Sequence, residues 1–586
     1  MKKLMTGNEA FAYGAYLAGI RVGAAYPGTP STQIMENYAT YPGVFAEWAP
    51  NEKVAMDVAI GAAYAGARSM VSTKHVGMNV SADSLFYAVY TGLNAGFVIG
   101  CADDPGMHSS QNEQDSRNYA KFGKLPMLEP ADSQEAKDFA ALAAEMSETY
   151  DTPVIVRFVT RTSHSSSVVD YDPAAMPPPA PAPKPYKKDL LKFVMIPGYA
   201  RRRHPVVEER IRKLQELAEV TPLNRIEPGD GELGIVAAGS VYQYAKEVFP
   251  DATYLKLGMV YPLPKKLVKD FTRRVKKVLV IEELDPFIEE HLRLQGIEVI
   301  GKDIFPLIGE FSPSMIRETA VKAGLLTAAA SSSTTTPAPA INLPIRPPIL
   351  CAGCGHRGMF NVLREAKVAV MGDIGCYTLG VAYPLEALHF CGCMGASIGV
   401  AHGFDKGRSA DRHVAVIGDS TFFHSGIHPL IDVLYNQGKT TIIIADNSTT
   451  GMTGHQHHPG TGFTLQEAPT VKTDLERLVR GIGFGKVDVC DPYEMDNFRR
   501  VLEDHLASDE ASVIIVRRPC VLQRKVKLPP PRIDPEECTN CGTCLDLGCP
   551  PLVQEEGHVR INDLICIGCG LCVQVCPVEA IKNEAV

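Results

Sequence analysis

Half the cysteines of this chain, eight of 16, lie between residues 538 and 586. They read Cys538-x2-Cys541-x2-Cys544-x4-Cys549-Pro550, then Cys566-x2-Cys569-x2-Cys572-x3-Cys576-Pro577, two copies starting 28 residues apart. Three cysteines at x2 spacing hold three corners of a cuboidal [4Fe–4S] cluster. The fourth ligand cannot come from the same tight turn, and where two clusters neighbour, the cysteine before proline serves the other one. The spacing therefore predicts one set of Cys538, Cys541, Cys544 and Cys576, and a second of Cys566, Cys569, Cys572 and Cys549. Gly542, Gly568 and Gly570 let backbone amides approach the sulfides. Two zinc sites of four cysteines each are the alternative; two CxxCxxC runs, each followed by Cys-Pro, disfavour them. The x4 spacing before Cys549 departs from the usual x3 and leaves open whether that residue completes its set. A tail of this kind implies one-electron chemistry.

The other eight cysteines (Cys101, Cys351, Cys354, Cys376, Cys391, Cys393, Cys490 and Cys520) are scattered over the preceding 537 residues and read as small hydrophobic thiols. A chain of 586 residues, about four domains at roughly 150 residues each, does not need disulfide staples. The dense tail points instead to metal binding in a reducing compartment, and the cytoplasm is the expected location. A net charge of −9 argues against nucleic acid as a main partner. No run of about 18 apolar residues is present to span a membrane. Lys2-Lys3 followed by Leu4 to Ile20 has the outline of a leader, but Thr6, Asn8 and Glu9 interrupt it, so a strand and a helix are expected there.

Two composition breaks divide the chain. Residues 173–185 hold seven prolines in 13 positions, and residues 325–348 form a low-complexity stretch. A shorter break, LPPPRIDP, precedes the cysteine tail. Between the breaks, apolar runs such as Val154–Phe158, Leu233–Ala238, Val278–Ile281, Val414–Ile417, Thr441–Ala445 and Val513–Val516 alternate with helical patterns. That alternation predicts an α/β fold with parallel sheets. Three doubly wound domains are expected, at 1–172, 230–324 and 349–527, with a charged helical connector inside 173–229 and the cysteine domain at 528–586. Arg201-Arg202-Arg203-His204 reads as a solvated helix start.

Gly418-Asp419-Ser420 follows one strand-like run, and Asp446-Asn447 ends the next, placing Asp419 and Asn447 28 positions apart at two strand ends. Ligands bind at that edge of an open α/β sheet. Oxygen ligands there suit Mg²⁺, which shares its shell with substrate phosphates. The pattern GDS…DNSTTGMTGHQ resembles the thiamine diphosphate motif of the 2-oxoacid:ferredoxin oxidoreductases. So do Cys351-Ala-Gly353-Cys354-Gly355-His356, Gly372-Asp373-Ile-Gly375-Cys376 and Met394-Gly395-Ala-Ser397-Ile-Gly399. The resemblance implies Mg²⁺ ligands Asp419, Asn447 and the main-chain oxygen of Thr449. It implies a cofactor shell of Gly353, Cys354, Gly355, His356, Gly375, Cys376, Met394, Gly395, Ser397, Gly418, Ser420, Met452 and Thr453. Ser420 stands where the common motif has glycine. His455, His457 and His458 read as a polar loop.

In the first domain, Tyr26-Pro27-Gly28-Thr29-Pro30-Ser31-Thr32 resembles a motif of the same family, which makes Thr29 a candidate catalytic residue. Asn51-Glu52 opens a helical pattern, where a first-turn carboxylate also suits the helix dipole. The family places its activating glutamate here. A carboxyl group at N1′ of the aminopyrimidine ring favours the imino tautomer that deprotonates the cofactor's C2, a general acid–base role. Glu52 is the candidate and Glu47 the runner-up. Gln111 to Arg117 reads as a polar loop, and the resemblance implies that Arg117 forks onto a substrate carboxylate.

The resemblance covers essentially the whole chain. It implies two thiamine diphosphate-binding-type domains, a transketolase-C-like domain between them, and a ferredoxin-like domain with two [4Fe–4S] clusters. The motif order is that of the large subunits that oxidise arylpyruvates. Implied are a smaller partner subunit in a two-large, two-small assembly, ferredoxin as electron acceptor, and CoA as acyl acceptor. Met452 stands where pyruvate-specific relatives carry asparagine, so indolepyruvate, phenylpyruvate and 4-hydroxyphenylpyruvate are the expected substrates. The alternatives are another 2-oxoacid (pyruvate or branched-chain), a non-oxidative thiamine diphosphate decarboxylase, or a subunit that only carries electrons.

Overall fold

A computed structural model describes residues 1–178, 188–327, 346–407, 409, 412–524 and 527–583. The end of the proline-rich stretch and most of the 325–348 stretch lie outside the described residues. The chain divides into two compact units, Met1–Ile341 and Asn342–Val586. Among the described residues, no helix is long and apolar enough to cross a membrane.

The first unit begins with the expected strand and helix, Lys2–Thr6 and Gly7–Leu17. Thr6 and Glu9 close a capping box between them, the Thr6 amide donating to Glu9 at 2.7 Å and the Glu9 amide to Thr6 Oγ1 at 3.2 Å. A seven-stranded sheet follows, in the order Met259–Tyr261, Met127–Leu128, Val154–Val159, Phe97–Asp103, Ser69–Lys74, Val22–Ala25, Phe45–Trp48. All neighbours are parallel except the Met259–Tyr261 edge. The strands Ser69–Lys74, Phe97–Asp103 and Val154–Val159 are buried along their whole length. That burial is why they read as continuous apolar runs rather than alternating ones.

A second, four-stranded sheet orders Lys277–Val280, Leu233–Ala238, Thr253–Leu257 and Asn224–Glu227. The strand Met259–Tyr261 leaves this region to pair with Met127–Leu128. One apolar core, including Phe97, Ile155, Val236, Leu255, Phe271 and Phe287, runs under both sheets. The connector forms the helix Pro197–Ala218, with Arg201 and Arg202 exposed. Its Arg210 is buried and donates to Val89 O at 2.6 Å.

The second unit is built on six parallel strands in the order Phe390–Cys391, Ala369–Gly372, His413–Gly418, Thr441–Asp446, Ser512–Arg517, Val487–Cys490. From Ala369–Gly372 the chain first goes to one side, then to the other. The switch point therefore lies between Ala369–Gly372 and His413–Gly418, where a ligand crevice opens in folds of this class. The cysteine tail adds two antiparallel two-stranded ribbons, Arg532–Ile533 with Ile581–Lys582 and Leu552–Glu555 with His558–Ile561. Leu547, Val559, Leu571 and Ile581 of the tail share a core with Phe360, Val416 and Ile514.

Candidate active site

The two strands that flank the switch point are followed directly by Asp373 and Asp419, both buried. Asp373 sits against the N-terminus of the helix Ala396–Lys406, accepting from the amides of Gly395 at 3.1 Å and Ser397 at 3.3 Å, and from the Tyr377 hydroxyl. Burial pushes its carboxyl up to about 6, against the pull of those hydrogen bonds. The GDIGC and MGAS motifs thus meet through one side chain, and Met394, Gly395 and Ser397 are held at the switch point by it.

Asp419 accepts from the amides of Ser420 at 2.9 Å and Ser448 at 2.7 Å. Its Oδ2 also lies 3.2 Å from His458 Nε2. Burial raises its pKa, His458 opposes this, and the Asp446 carboxylate raises it further. The loop after Asn447 folds back on itself: Asn447 Oδ1 accepts from Thr449 N at 3.1 Å, and Thr450 N donates to Gln456 O at 3.0 Å. Thr453 Oγ1 meets Gln456 at 2.5 Å, and the Ser420 hydroxyl in the third motif position meets Thr450 Oγ1 at 2.9 Å. Thr449 Oγ1 is buried with no hydrogen-bond partner, and Met452 is 47% exposed on the turn Gly451–Thr453.

A buried carboxylate beside a second one and an orphaned hydroxyl, set at the switch point, fit a divalent cation and the anion it carries. His458 is not part of a polar loop as expected: it is buried against Phe423 and faces Asp419. The neighbouring His356 is buried too, and desolvation lowers its pKa to about 4, so it is uncharged at neutral pH.

In the tail, Cys549, Cys566, Cys569 and Cys572 line one hollow. Cys538, Cys541, Cys544 and Cys576 line another. In each hollow, the fourth cysteine comes from the other repeat. Gly353 stands beside the first of these cysteine sets. It lines the first hollow with φ at +66°, and a Cβ on it would stand 2.2 Å from Ile567. Arg357 ties the tail down, its Nη1 donating to Leu547 O at 2.9 Å and its Nε to Cys351 O at 2.9 Å.

The structure also gathers residues that sequence reasoning left scattered. Cys351, Cys354, Cys376 and Cys520 line a single hollow with Gly355, His356, Asn447 and Gly451. Burial pushes the Cys376 thiol up to about 12, and Cys354, Cys520 and Cys351 add to the shift. These four are therefore not isolated hydrophobic thiols. Cys351-x2-Cys354 and the Gly372–Cys376 motif carried a sequence signal; Cys520 had none.

In the first unit, Glu52 is 6% exposed on the first turn of the helix Glu52–Tyr64, which Asn51 caps by accepting from Val54 N at 2.9 Å. It packs on Gly77 of the helix His75–Thr91: a Cβ at Gly77 would lie 2.6 Å from Glu52 Cγ, so no larger residue fits. Glu47 is half-buried on the strand Phe45–Trp48, and burial pushes its carboxyl up. Thr29 is half-buried, and its carbonyl accepts from Ser109 Oγ at 3.1 Å.

Arg117 departs from expectation. It is 2% exposed, and its fork is committed to protein. Nε donates to Asp115 Oδ1 at 2.9 Å, Nη1 to Glu282 at 2.5 Å, and Nη2 to Asp115 at 2.5 Å and to the carbonyls of Glu283 and Asp285. Arg157 extends the network to Asp103 at 2.7 Å and Glu129 at 2.8 Å. In this structure Arg117 thus bridges to the segment that follows the strand Lys277–Val280, through Glu282, Glu283 and Asp285.

Three family models match the chain. The thiamine diphosphate-binding domain of pyruvate flavodoxin/ferredoxin oxidoreductase matches residues 13–226. The C-terminal TPP-binding domain of thiamine pyrophosphate enzymes matches 373–516, and a 4Fe-4S dicluster domain matches 530–583. The indolepyruvate oxidoreductase subunit IorA of Archaeoglobus fulgidus is 40% identical, over 99% of this chain and 97% of that protein. That of Methanothermobacter thermautotrophicus is 39% identical, over 100% and 97%. The 2-oxoglutarate synthase subunit KorA of Archaeoglobus fulgidus is 27% identical, over 52% of this chain and 96% of that protein.

Proposed function

The chain belongs to the family of indolepyruvate oxidoreductase IorA subunits, and from that membership we propose that its substrates are arylpyruvates: indolepyruvate, phenylpyruvate and 4-hydroxyphenylpyruvate. It is an oxidoreductase that uses thiamine diphosphate and [4Fe–4S] clusters in ferredoxin-dependent oxidation of 2-oxoacids. The proposed reaction takes an aryl-2-oxoacid, CoA and two oxidised ferredoxins to an aryl-acyl-CoA, CO₂, two reduced ferredoxins and a proton. A smaller subunit completes the proposed assembly.

The observation that supports the aryl reading is Met452, exposed on a turn five positions after Asn447. A flexible thioether there favours an aromatic ring over a small polar substrate. Asp419, Asn447 and the main-chain oxygen of Thr449 would hold Mg²⁺ against the diphosphate. Asp373 would hold the helix N-terminus at Gly395 in place at the switch point through the amides it accepts from. Glu52 would hold a proton at its carboxyl oxygen for exchange with the aminopyrimidine ring. Thiamine diphosphate, when bound, supplies the sink for the electron pair released as CO₂ leaves.

The two tail sets would each hold a cluster. The quartet Cys351, Cys354, Cys376 and Cys520, lining one hollow with Asn447, would hold a third. A complex co-expressed with the smaller subunit should reduce a viologen dye with phenylpyruvate and CoA faster than with pyruvate or 2-oxoglutarate. It should carry about twelve irons per large subunit, four for each cluster. Faster turnover of pyruvate would sink the aryl reading, and about eight irons would sink the third cluster.

A further inference from the structure

Four arginines are buried among the described residues, and three of them pair with carboxylates: Arg117 with Asp115, Arg157 with Asp103 and Arg210 with Asp151. The fourth, Arg357, pairs with no carboxylate of the described residues. It is 2% exposed in the first turn of the helix Gly355–Glu365, where a cation opposes the helix dipole. Its guanidinium donates to carbonyls alone: Nε to Cys351 at 2.9 Å, Nη1 to Leu547 at 2.9 Å and to Gly548 at 2.5 Å, and Nη2 to Leu350.

Those carbonyls come from two places. Leu350 and Cys351 open the segment that carries Cys351 and Cys354, and Leu547 and Gly548 run directly into Cys549. Arg357 is therefore tied to the loops of two cysteine sets, the quartet of Cys351, Cys354, Cys376 and Cys520 and the tail set of Cys549, Cys566, Cys569 and Cys572. It lines the hollow of the tail set, where the other lining residues besides the cysteines are glycines, prolines, leucines and isoleucines. The hollow of Cys538, Cys541, Cys544 and Cys576 has no lysine, arginine or carboxylate in its lining. Arg518, beside the quartet, already pairs with Asp491 at 2.6 Å.

A buried cation without a counter-charge is costly, and the groups that act on Arg357 are cysteines. Burial lowers its pKa, and Cys549, Cys354, Cys351 and Cys569 oppose the shift. The guanidinium stays charged at neutral pH. We propose that Arg357 is the shared counter-charge of two [4Fe–4S] clusters, the one held by the quartet and the one held by Cys549, Cys566, Cys569 and Cys572, and that it raises the reduction potential of both. The assignment rests on the cluster reading given above. A cluster gains one negative charge with each electron it takes up, and net charge and burial set its potential. A fixed cation beside it in an apolar surround favours the reduced form.

A reductive titration of the co-expressed complex, followed by EPR, tests this, with three clusters giving three one-electron steps. Arg357→Gln keeps hydrogen-bond donors and removes the charge. Two of the three steps should fall in potential, reduction becoming about 10- to 100-fold weaker, or about 60–120 mV at about 59 mV per tenfold for one electron. The third step, that of Cys538, Cys541, Cys544 and Cys576, should stay in place. Thiamine diphosphate and iron contents should match the wild type. Three unmoved steps, a fall in only one of the three, or an equal fall in all three would overturn the proposal.

Arg357→Lys keeps the charge and gives up most of the hydrogen bonds, so all three steps should lie at wild-type potentials. It also decides the case in which Arg357→Gln loses its iron. Wild-type potentials in the lysine variant then uphold the proposal. A fall in the same two steps, or loss of iron from both variants, assigns Arg357 to holding the loops together and overturns it. A wild-type complex with about eight irons and two steps, one of which still falls in Arg357→Gln, would sink the third cluster while leaving the counter-charge of the tail set standing.

Discussion

Each unit of this chain buries charge, and the two settle it differently. In the first, Arg117 and Arg157 share four carboxylate neighbours, Asp115, Glu282, Asp103 and Glu129, all within 3 Å of a guanidinium nitrogen. Glu283 is turned to the Phe311 amide at 2.7 Å. Desolvation is offset inside the protein, and the network needs nothing from outside. In the second unit, Asp419 has two amides and His458, and among the described residues no lysine or arginine pairs with it. A burial that the protein itself balances holds elements together. A burial left unbalanced marks where a ligand's charge is expected, as at Asp419.

Glu52 separates chemistry from cohesion most sharply. Glu52→Gln keeps size and removes the proton-relaying carboxyl. Exchange of the cofactor's C2 proton should slow by about 10²–10⁴-fold, while the unfolding midpoint of the protein barely moves. Unchanged exchange would transfer the role to Glu47.

Next in size is a pair of truncations with opposite signatures. Arg117→Ala leaves Asp115 and Glu282 buried without their cation and should cost about 3–5 kcal/mol of stability. Asp419→Ala removes a buried carboxylate, so the cofactor-free protein should be no less stable. Its bound thiamine diphosphate should be lost, with iron content intact. A stable Arg117→Ala, or full cofactor occupancy in Asp419→Ala, measured by denaturant titration and cofactor release, would break the contrast.

The two kinds of site also differ in how far the sequence betrays them. Cluster cysteines are constrained by bond geometry over a few residues, so their spacing is legible, and each hollow joins the four residues that the repeats predict. Asp419 and Asn447 are legible because a strand end is a place as well as a residue. Arg117 is not. An arginine after Asp-Ser in a polar run looks the same whether it faces a substrate or Glu282, 165 positions away. Cys520 joins Cys351 across a comparable distance, and the strand Met259–Tyr261 crosses from one sheet to the other. The parallel sheets could be read from their apolar runs, whereas these long-range partners are set by packing alone.

The carboxylate surplus of the first unit should appear as a pH dependence. Burial pushes Glu283 up to about 7 from an ordinary value near 4.5. A carboxyl whose pKa is raised on folding binds its proton more tightly in the folded state. Its stabilisation is full below about 4.5 and lost as pH rises through 7. At about 1.4 kcal/mol per pH unit, taking the protein from pH 7.5 to 5.5 should add about 2 kcal/mol to its stability. Glu283→Gln keeps the acceptor for Phe311 and should flatten that slope. A slope unaltered by the substitution would locate the titration elsewhere in the network.

The smallest expected effect belongs to Met452, where nothing charged is at stake. Its turn is fixed from behind by Thr450, Thr453 and Gln456, so substitution there changes what the exposed side chain offers without moving the Asn447 loop. A thioether sulfur against an aromatic ring contributes about 0.3–1.5 kcal/mol, and burying the ring against it adds hydrophobic transfer energy. Met452→Asn exchanges both for a polar contact suited to a small 2-oxoacid. The ratio of kcat/KM for phenylpyruvate over pyruvate should then fall about 2- to 12-fold for the sulfur contact alone, and further if ring burial is lost as well. Thiamine diphosphate and iron contents should stay at wild-type levels, because Met452 holds neither. An unaltered ratio would show that the aryl group rests against another surface. A fall accompanied by cofactor loss would make Met452 part of the balanced framework, and the line drawn here between ligand-facing and fold-holding residues would have to be moved.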